Sequence, residues 1–190
     1  MSAPYFDSKV YTRIDFTSEG FPGGEYELCT FKDCNFSGCD LSGVIFSECE
    51  FSNCNLSLVK SSQTAFREVR ISESKILGVH FENCNPFLFS ISFDRCMLNL
   101  TSFYQLNLKR ARFIKCNLAE ADFTECDLTH SLFDNCDLSG TVFENTNLEH
   151  ADFRTAFNYS IDPEINRLKK ARFSLTGIAG LLGKYGLVID

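Results

Sequence analysis

"CNLAEADFTECDLTHSLFDNCDLSGTVF" (Cys116–Phe143) is the stretch on which the fold turns. A large apolar residue returns at every fifth place, as Leu118, Phe123, Leu128, Phe133, Leu138 and Phe143. Two places before each stands a small residue: Cys116, Ala121, Cys126, Ser131, Cys136 and Thr141. Acids lie between them, with no Lys or Arg. A helix repeats at about 3.6 residues and a flat strand at about 2, so a period of five fits neither. It calls for a repeat architecture.

The same ruler runs outward in both directions. Upstream it holds from Tyr11 through Phe16, Phe31 and Phe51 to Phe81, with only Ser61 polar. After a slip of two residues it resumes at Phe93 and runs to Phe153. All 10 cysteines, from Cys29 to Cys136, fall two places before the central residue. Chance would put about two of them in one phase class.

Composition narrows the chemistry. A net charge of -7 argues against direct binding of nucleic acid through phosphate contacts. No run of about 18 apolar residues predicts a membrane span, and the first residues do not read as a signal peptide. The expectation is a soluble, cytoplasmic protein. There the thiols read as metal ligands, catalytic groups or buried residues before disulfides. No C-x-x-C pair occurs, and stacked columns such as Cys96, Cys116 and Cys136 read as small buried thiols. His130 and His150, twenty residues apart, predict an outward pair on one side, more simply solvated than metal-bound. No phosphate-binding glycine motif and no nucleophile–base constellation is found, so neither an enzyme nor a cofactor is predicted.

"CNLAE" (116–120), "ADFTE" (121–125), "CDLTH" (126–130), "CDLSG" (136–140) and "TNLEH" (146–150) resemble the pentapeptide repeat family, whose pattern is A-(D/N)-L-x-x. The resemblance implies an all-β, right-handed quadrilateral β-helix, with one pentapeptide per side and residues 20 apart stacked. Over residues 11–157 that makes about seven coils, with residues 1–10 as an N-terminal cap. Phe93, Phe113, Phe133 and Phe153 should form one ladder, and Phe103, Phe123 and Phe143 the opposite one. The slip predicts a small loop at about 85–92. Its Phe87, Leu88 and Phe89 either fold back over the rod or offer a contact to a partner. After Ala156 the pattern predicts a short helix from Asp162 and Pro163 to about Lys170, a second helical stripe after Ser174, and a short strand at "LVI" (187–189). Segment 158–190 thus reads as a tail that caps the rod or joins two copies as a homodimer. Its interface would comprise Leu175, Ile178, Leu181, Leu182, Leu187 and Ile189.

"NYSIDPEIN" (158–166), "KKARFS" (169–174) and "GLLGKYGLVID" (180–190) resemble the topoisomerase-protecting branch, the Qnr and MfpA types, and look closest to the McbG and AlbG immunity types. This implies a DNA-mimicking rod that binds DNA gyrase or topoisomerase IV and protects it from a poison. Glu120, Asp122, Glu125, Asp127, Asp134, Asp137, Glu144, Glu149 and Asp152 would supply the acidic surface. They lie within roughly 10 Å of rod. That is denser than duplex DNA at about one charge per 1.7 Å, although they map to all four sides. Lys109, Arg110, Arg112 and Lys115 precede them and interrupt the field. The alternative is an interaction scaffold of the same fold with an unrelated partner.

Overall fold

The computed structural model describes residues 3–188. Its strands are β1 (Tyr5–Asp7), β2 (Val10–Thr12), β3 (Glu25–Glu27), β4 (Thr30–Lys32), β5 (Ile45–Ser47), β6 (Glu50–Ser52), β7 (Ala65–Arg67), β8 (Val69–Ser72), β9 (Ile91–Asp94), β10 (Arg112–Ile114) and β11 (Leu132–Asp134). All pairings are parallel, as in Phe31↔Phe51 and Phe113↔Phe133. The architecture is the all-β parallel solenoid that the period predicts.

Each pentad makes one side. We label the four sides in chain order. Face A carries the sheet β1-β3-β5-β7, and face B the sheet that runs from β2 through β4, β6, β8, β9 and β10 to β11. Single-residue bridges hold face C, as at Asn35↔Asn55, and face D, as at Asp122↔Val142. The corner residue, two places after the central one, takes a left-handed conformation: φ is 59° at Glu120, 57° at Glu125 and 61° at His130. That turn re-aims the chain to the next face, and each non-glycine there costs roughly 1–2 kcal/mol. Asp or Asn before the central residue offsets part of this cost. Asp122 accepts the Thr124 N–H (2.8 Å), and Asn117 likewise that of Ala119 (2.9 Å).

The core is columns of side chains. On face B, ring centroids lie 4.8 Å apart for Tyr11–Phe31, 5.0 Å for Phe113–Phe133 and 4.7 Å for Phe133–Phe153, all near parallel. On face D the Phe103–Phe123 rings are 4.8 Å apart. The two columns meet edge-on across the axis, at 5.6 Å for Phe113–Phe123. Both arrangements suit the ring quadrupole. The predicted Phe ladders are therefore present. The small inward residues do more than fill space. Cys136 Sγ donates to the Phe113 carbonyl (3.3 Å), while Thr146 Oγ1 and Thr141 Oγ1 donate to the carbonyls of Phe123 and Leu118 (2.8 Å each). All ten thiols are free and buried.

Both ends of the ladder extend further than expected. Residues 5–10 are not a separate cap: β1 pairs with β3, and the Phe6 ring stacks on Tyr26 at 4.6 Å. At the other end the period survives past residue 157. Phe173 stacks on Phe153 at 5.4 Å, and Arg167 and Arg172 bridge to Asn147 and Asp152. Asn166 takes the inward place below Leu168, accepting the Thr146 N–H (2.9 Å) and donating to the Phe143 carbonyl (2.8 Å). Asn158 and Pro163 occupy the central places of faces C and D and hide the repeat in the sequence. No helix forms from Asp162 to Lys170: the Asp162 carboxylate caps a turn by accepting the Glu164 N–H (2.8 Å), and Arg167 then joins the ladder, donating to the Thr146 carbonyl (3.0 Å). The tail holds two 3-10 turns, Ile178–Leu181 and Gly183–Tyr185. Leu187 and Val188 form no strand, and Ile189 lies outside the described residues.

The tail closes the rod. Ile161 N–H donates to the Gly180 carbonyl (2.9 Å). A Cβ at Gly180 would lie 2.3 Å from the Tyr159 carbonyl oxygen, so only glycine allows this approach. Lys184 binds Asp162 (2.8 Å), and Tyr185 donates to Glu164 (2.8 Å).

The two added residues are taken up on face A. Face B keeps register across them, with Ile71 paired to Phe93. Removing Pro86 and Phe87 would leave "CNLFS", an ordinary pentad. The loop is short, since strand geometry resumes at Ile91.

Candidate functional site

Side chains fill the inside of the rod, so its chemistry is on the outer wall. The nine acids of Glu120–Asp152 divide by position. Asp122, Asp127, Asp137 and Asp152 precede central residues, and each accepts the backbone N–H two places on, at 2.8–3.1 Å. Asp127 also pairs with Lys109 (3.2 Å), and Asp152 with Arg154 (2.7 Å) and Arg172 (3.5 Å). The Arg154 hydrogen bonds hold the Asp152 carboxyl below the usual carboxylate range. These carboxylates hold corners or ion pairs first.

The other five differ in what surrounds them. Asp134 on face B accepts from Thr155 Oγ1 (2.8 Å), and Glu149 on face A lies below Lys169. Glu125 on face D accepts from Gln105 (2.7 Å), Glu144 is exposed above Thr124 on that face, and Glu120 sits at the corner leading into it. Face D also carries Glu82, in contact with His80 (2.8 Å). From His80 through Asn145 its outward places hold no Lys or Arg. Higher up, Asp162 and Glu164 are covered by Lys184.

The A–B corner differs: Arg67, Arg70, Lys109, Arg110 and Arg112 lie on or beside it, while Glu48, Glu50 and Glu68 share its lower part and Arg95 and Lys115 stand at the next corner, B–C.

The loop residues separate. Phe89 packs inward, edge-on to Phe66 (6.3 Å) and Phe81 (6.2 Å). Phe87 and Leu88 are 65% and 64% exposed, with the Arg67 guanidinium 5.9 Å from the Phe87 ring. Phe89 thus folds back over the rod as one sequence reading has it, and Phe87 and Leu88 do not.

At the C-terminal end Leu175 is 90% exposed, and Ile178 and Leu187 are also exposed. Leu181 instead packs against the core and Leu182 is half-buried. Phe157, Ile165, Tyr185 and Val188 join the exposed apolar set. Sequence reading missed them because Phe157 and Ile165 belong to an eighth turn that it did not recognise. The rings of His130 and His150 stack at 4.4 Å. Among the described residues, no group of three or more His, Cys, Asp or Glu is placed to hold a metal ion.

A search of curated proteins finds no match. Among solved structures, a trypsin-treated form of QnrB1, a plasmid-mediated fluoroquinolone resistance protein, superposes with a TM-score of 0.62 at 17% identity, covering 98% of this chain and 100% of that one. A second trypsin-treated form gives 0.62 at 18% identity, with 100% of both chains covered. Full-length QnrB1 gives 0.53 at 19%, covering 97% and 100%. These likenesses establish the fold. The family described as "Pentapeptide repeats (8 copies)" matches residues 28–60, and that described as "Pentapeptide repeat region" matches 86–156 and 106–180. With these matches spanning more than half its length, the chain belongs to the pentapeptide repeat family.

Proposed function

We propose that this protein binds DNA gyrase or topoisomerase IV through face D and protects the enzyme from a topoisomerase poison, in the cytoplasm and without catalysis of its own. The observation that carries the reading is the acidic stretch of face D from His80 through Asn145, whose outward places hold no Lys or Arg. Glu82, Glu120, Asp122, Glu125 and Glu144 lie on or beside face D across three coil steps. At about 4.8 Å per step this is roughly one charge per 3 Å, close to the roughly 3.4 Å spacing along one DNA strand. The whole-length likeness to QnrB1 supports a rod of suitable shape. The exposed apolar end at Leu175, Ile178, Leu187 and Val188 supports pairing of two rods end to end, which would double the acidic face.

The test is gyrase supercoiling in the presence of a fluoroquinolone. Micromolar protein is expected to restore supercoiled product. The triple variant Glu120→Gln, Glu125→Gln, Glu144→Gln should lose rescue while melting like the parent. Neither rescue nor inhibition by the parent protein would refute the reading. Sedimentation tests the dimer, with Leu175→Arg expected to give monomers.

Phe87 and Leu88 favour a second reading, an interaction scaffold with an unrelated partner, since they protrude on face A and not on face D. A pull-down that recovers another protein and no gyrase subunit, lost in Phe87→Ala, would select it.

A further inference from the structure

One level of the backbone ladder is missing on face A. Above the insertion, three bonds join consecutive coils there. Leu108 N–H donates to the Asp127 carbonyl (2.8 Å), Asp127 N–H to that of Leu106 (3.0 Å) and Arg110 N–H to that of Thr129 (2.9 Å). One coil on, Leu128, Asn147 and His130 repeat the pattern with Asn147, Cys126 and Glu149 at 2.8, 2.9 and 3.0 Å. Below Asn107 none of the three forms. The Asn107 N–H and the carbonyls of Asn107 and Lys109 have no backbone partner among the described residues. The loop causes this. Ser90 N–H turns to the Phe66 carbonyl (2.9 Å), and Phe89 N–H to that of Pro86 (3.4 Å).

Asn107 and Lys109 alternate as residues on one strand edge do, so their free groups face the same way. The space they face is a groove of about 230 Å³, bordered by Phe89, Ser90, Lys109, Arg110 and Arg112. Lys109 is shared with Asp127 (3.2 Å). Arg110 and Arg112 have no carboxylate at ion-pair distance among the described residues, unlike Arg70, Arg95, Arg154 and Arg172. An exposed strand edge is a template for another strand.

We propose that this groove takes a short extended segment of a partner protein as an added strand, with acidic side chains against Arg110 and Arg112. The segment would give two N–H groups to the Asn107 and Lys109 carbonyls and accept the Asn107 N–H. Charge complementarity selects an acidic segment over a basic one. The site is on the A–B corner, so it stands independently of topoisomerase binding through face D.

The test uses a fluorescent hexapeptide of alternating valine and glutamate, read by polarisation. Two further versions carry N-methyl groups on one or the other alternate set of amides. The parent peptide is expected to bind saturably. One methylated version should bind and the other should not, because only one set of amides faces the groove. Arg110→Glu with Arg112→Glu should weaken binding by about tenfold, the order expected for reversed facing charges. Deletion of Pro86 and Phe87, which closes the ladder, should abolish it. Amide exchange at Asn107 should slow on binding. Absence of saturable binding overturns the proposal. So does equal binding of both methylated peptides, which would mean charge attraction alone, or unchanged binding by the deletion variant, which would place the peptide elsewhere.

Discussion

Faces A and B are built from the same pentads, yet two residues separate their fates. On face B the column runs from Tyr11 to Phe173, and one sheet connects β2 to β11. On face A the sheet stops at β7, and beyond the loop single bridges, Asn107↔Asp127↔Asn147↔Arg167, carry the stack. Three missing ladder bonds cost about 0.5–1.5 kcal/mol each. Burying a Phe side chain on the intact face returns about 1.5–3 kcal/mol per ring. The fault therefore stays local. Core columns set the register of this rod, and the ladder on any one face can be interrupted where the neighbouring column continues.

The largest effect should come from breaking face B itself. Phe113→Ala removes a fully buried ring and is expected to cost about 3–5 kcal/mol, measured by urea unfolding. A loss below about 1 kcal/mol would mean that the columns do not set register. Next is repair of face A. Deleting Pro86 and Phe87 should raise stability by about 1–3 kcal/mol through regained ladder bonds. A fall instead would show that the inward packing of Phe89 outweighs the lost ladder. Thr146→Val removes one of the two donors to the Phe123 carbonyl, the other being the Cys126 N–H (3.1 Å), and should cost about 0.5–1.5 kcal/mol, showing that the small inward position is a hydrogen-bonding site.

A smaller effect depends on pH. The Asp152 carboxyl is depressed first by the Arg154 hydrogen bonds, and Arg172 adds to the shift. A group depressed in the fold stabilises fully above its unfolded pKa of about 3.9 and loses that contribution as pH falls through the folded value. The stability difference between parent and Asp152→Asn should be flat above about pH 5 and shrink below it, by less than about 1 kcal/mol in all. Thermal melts across that range check it. Least of all, Phe87→Ala at the loop tip should change stability by under about 0.5 kcal/mol.

Much of this was legible in the residues. Phe113 and Phe133 stack because they are twenty apart and both central, and Cys116 lies inward because it is two places before Leu118. The ends were not legible. Phe6 has the right phase but too few pentads before it to be counted, and the polar "NYSIDPEINRLKK" (158–170) conceals a turn whose ladder bonds need no particular side chain. Acidity between Cys116 and Phe153 was legible too, but not its division into corner-holding Asp122, ion-paired Asp152 and free Glu144.

The sequence by itself determined the coil, because a strict five-residue spacing of large and small apolar groups has one economical way to bury both. Only the tertiary structure decided which charges stay unpaired, where the rod closes and which ladder level opens. Those depend on neighbours twenty or more residues away, and on backbone groups that every residue carries alike.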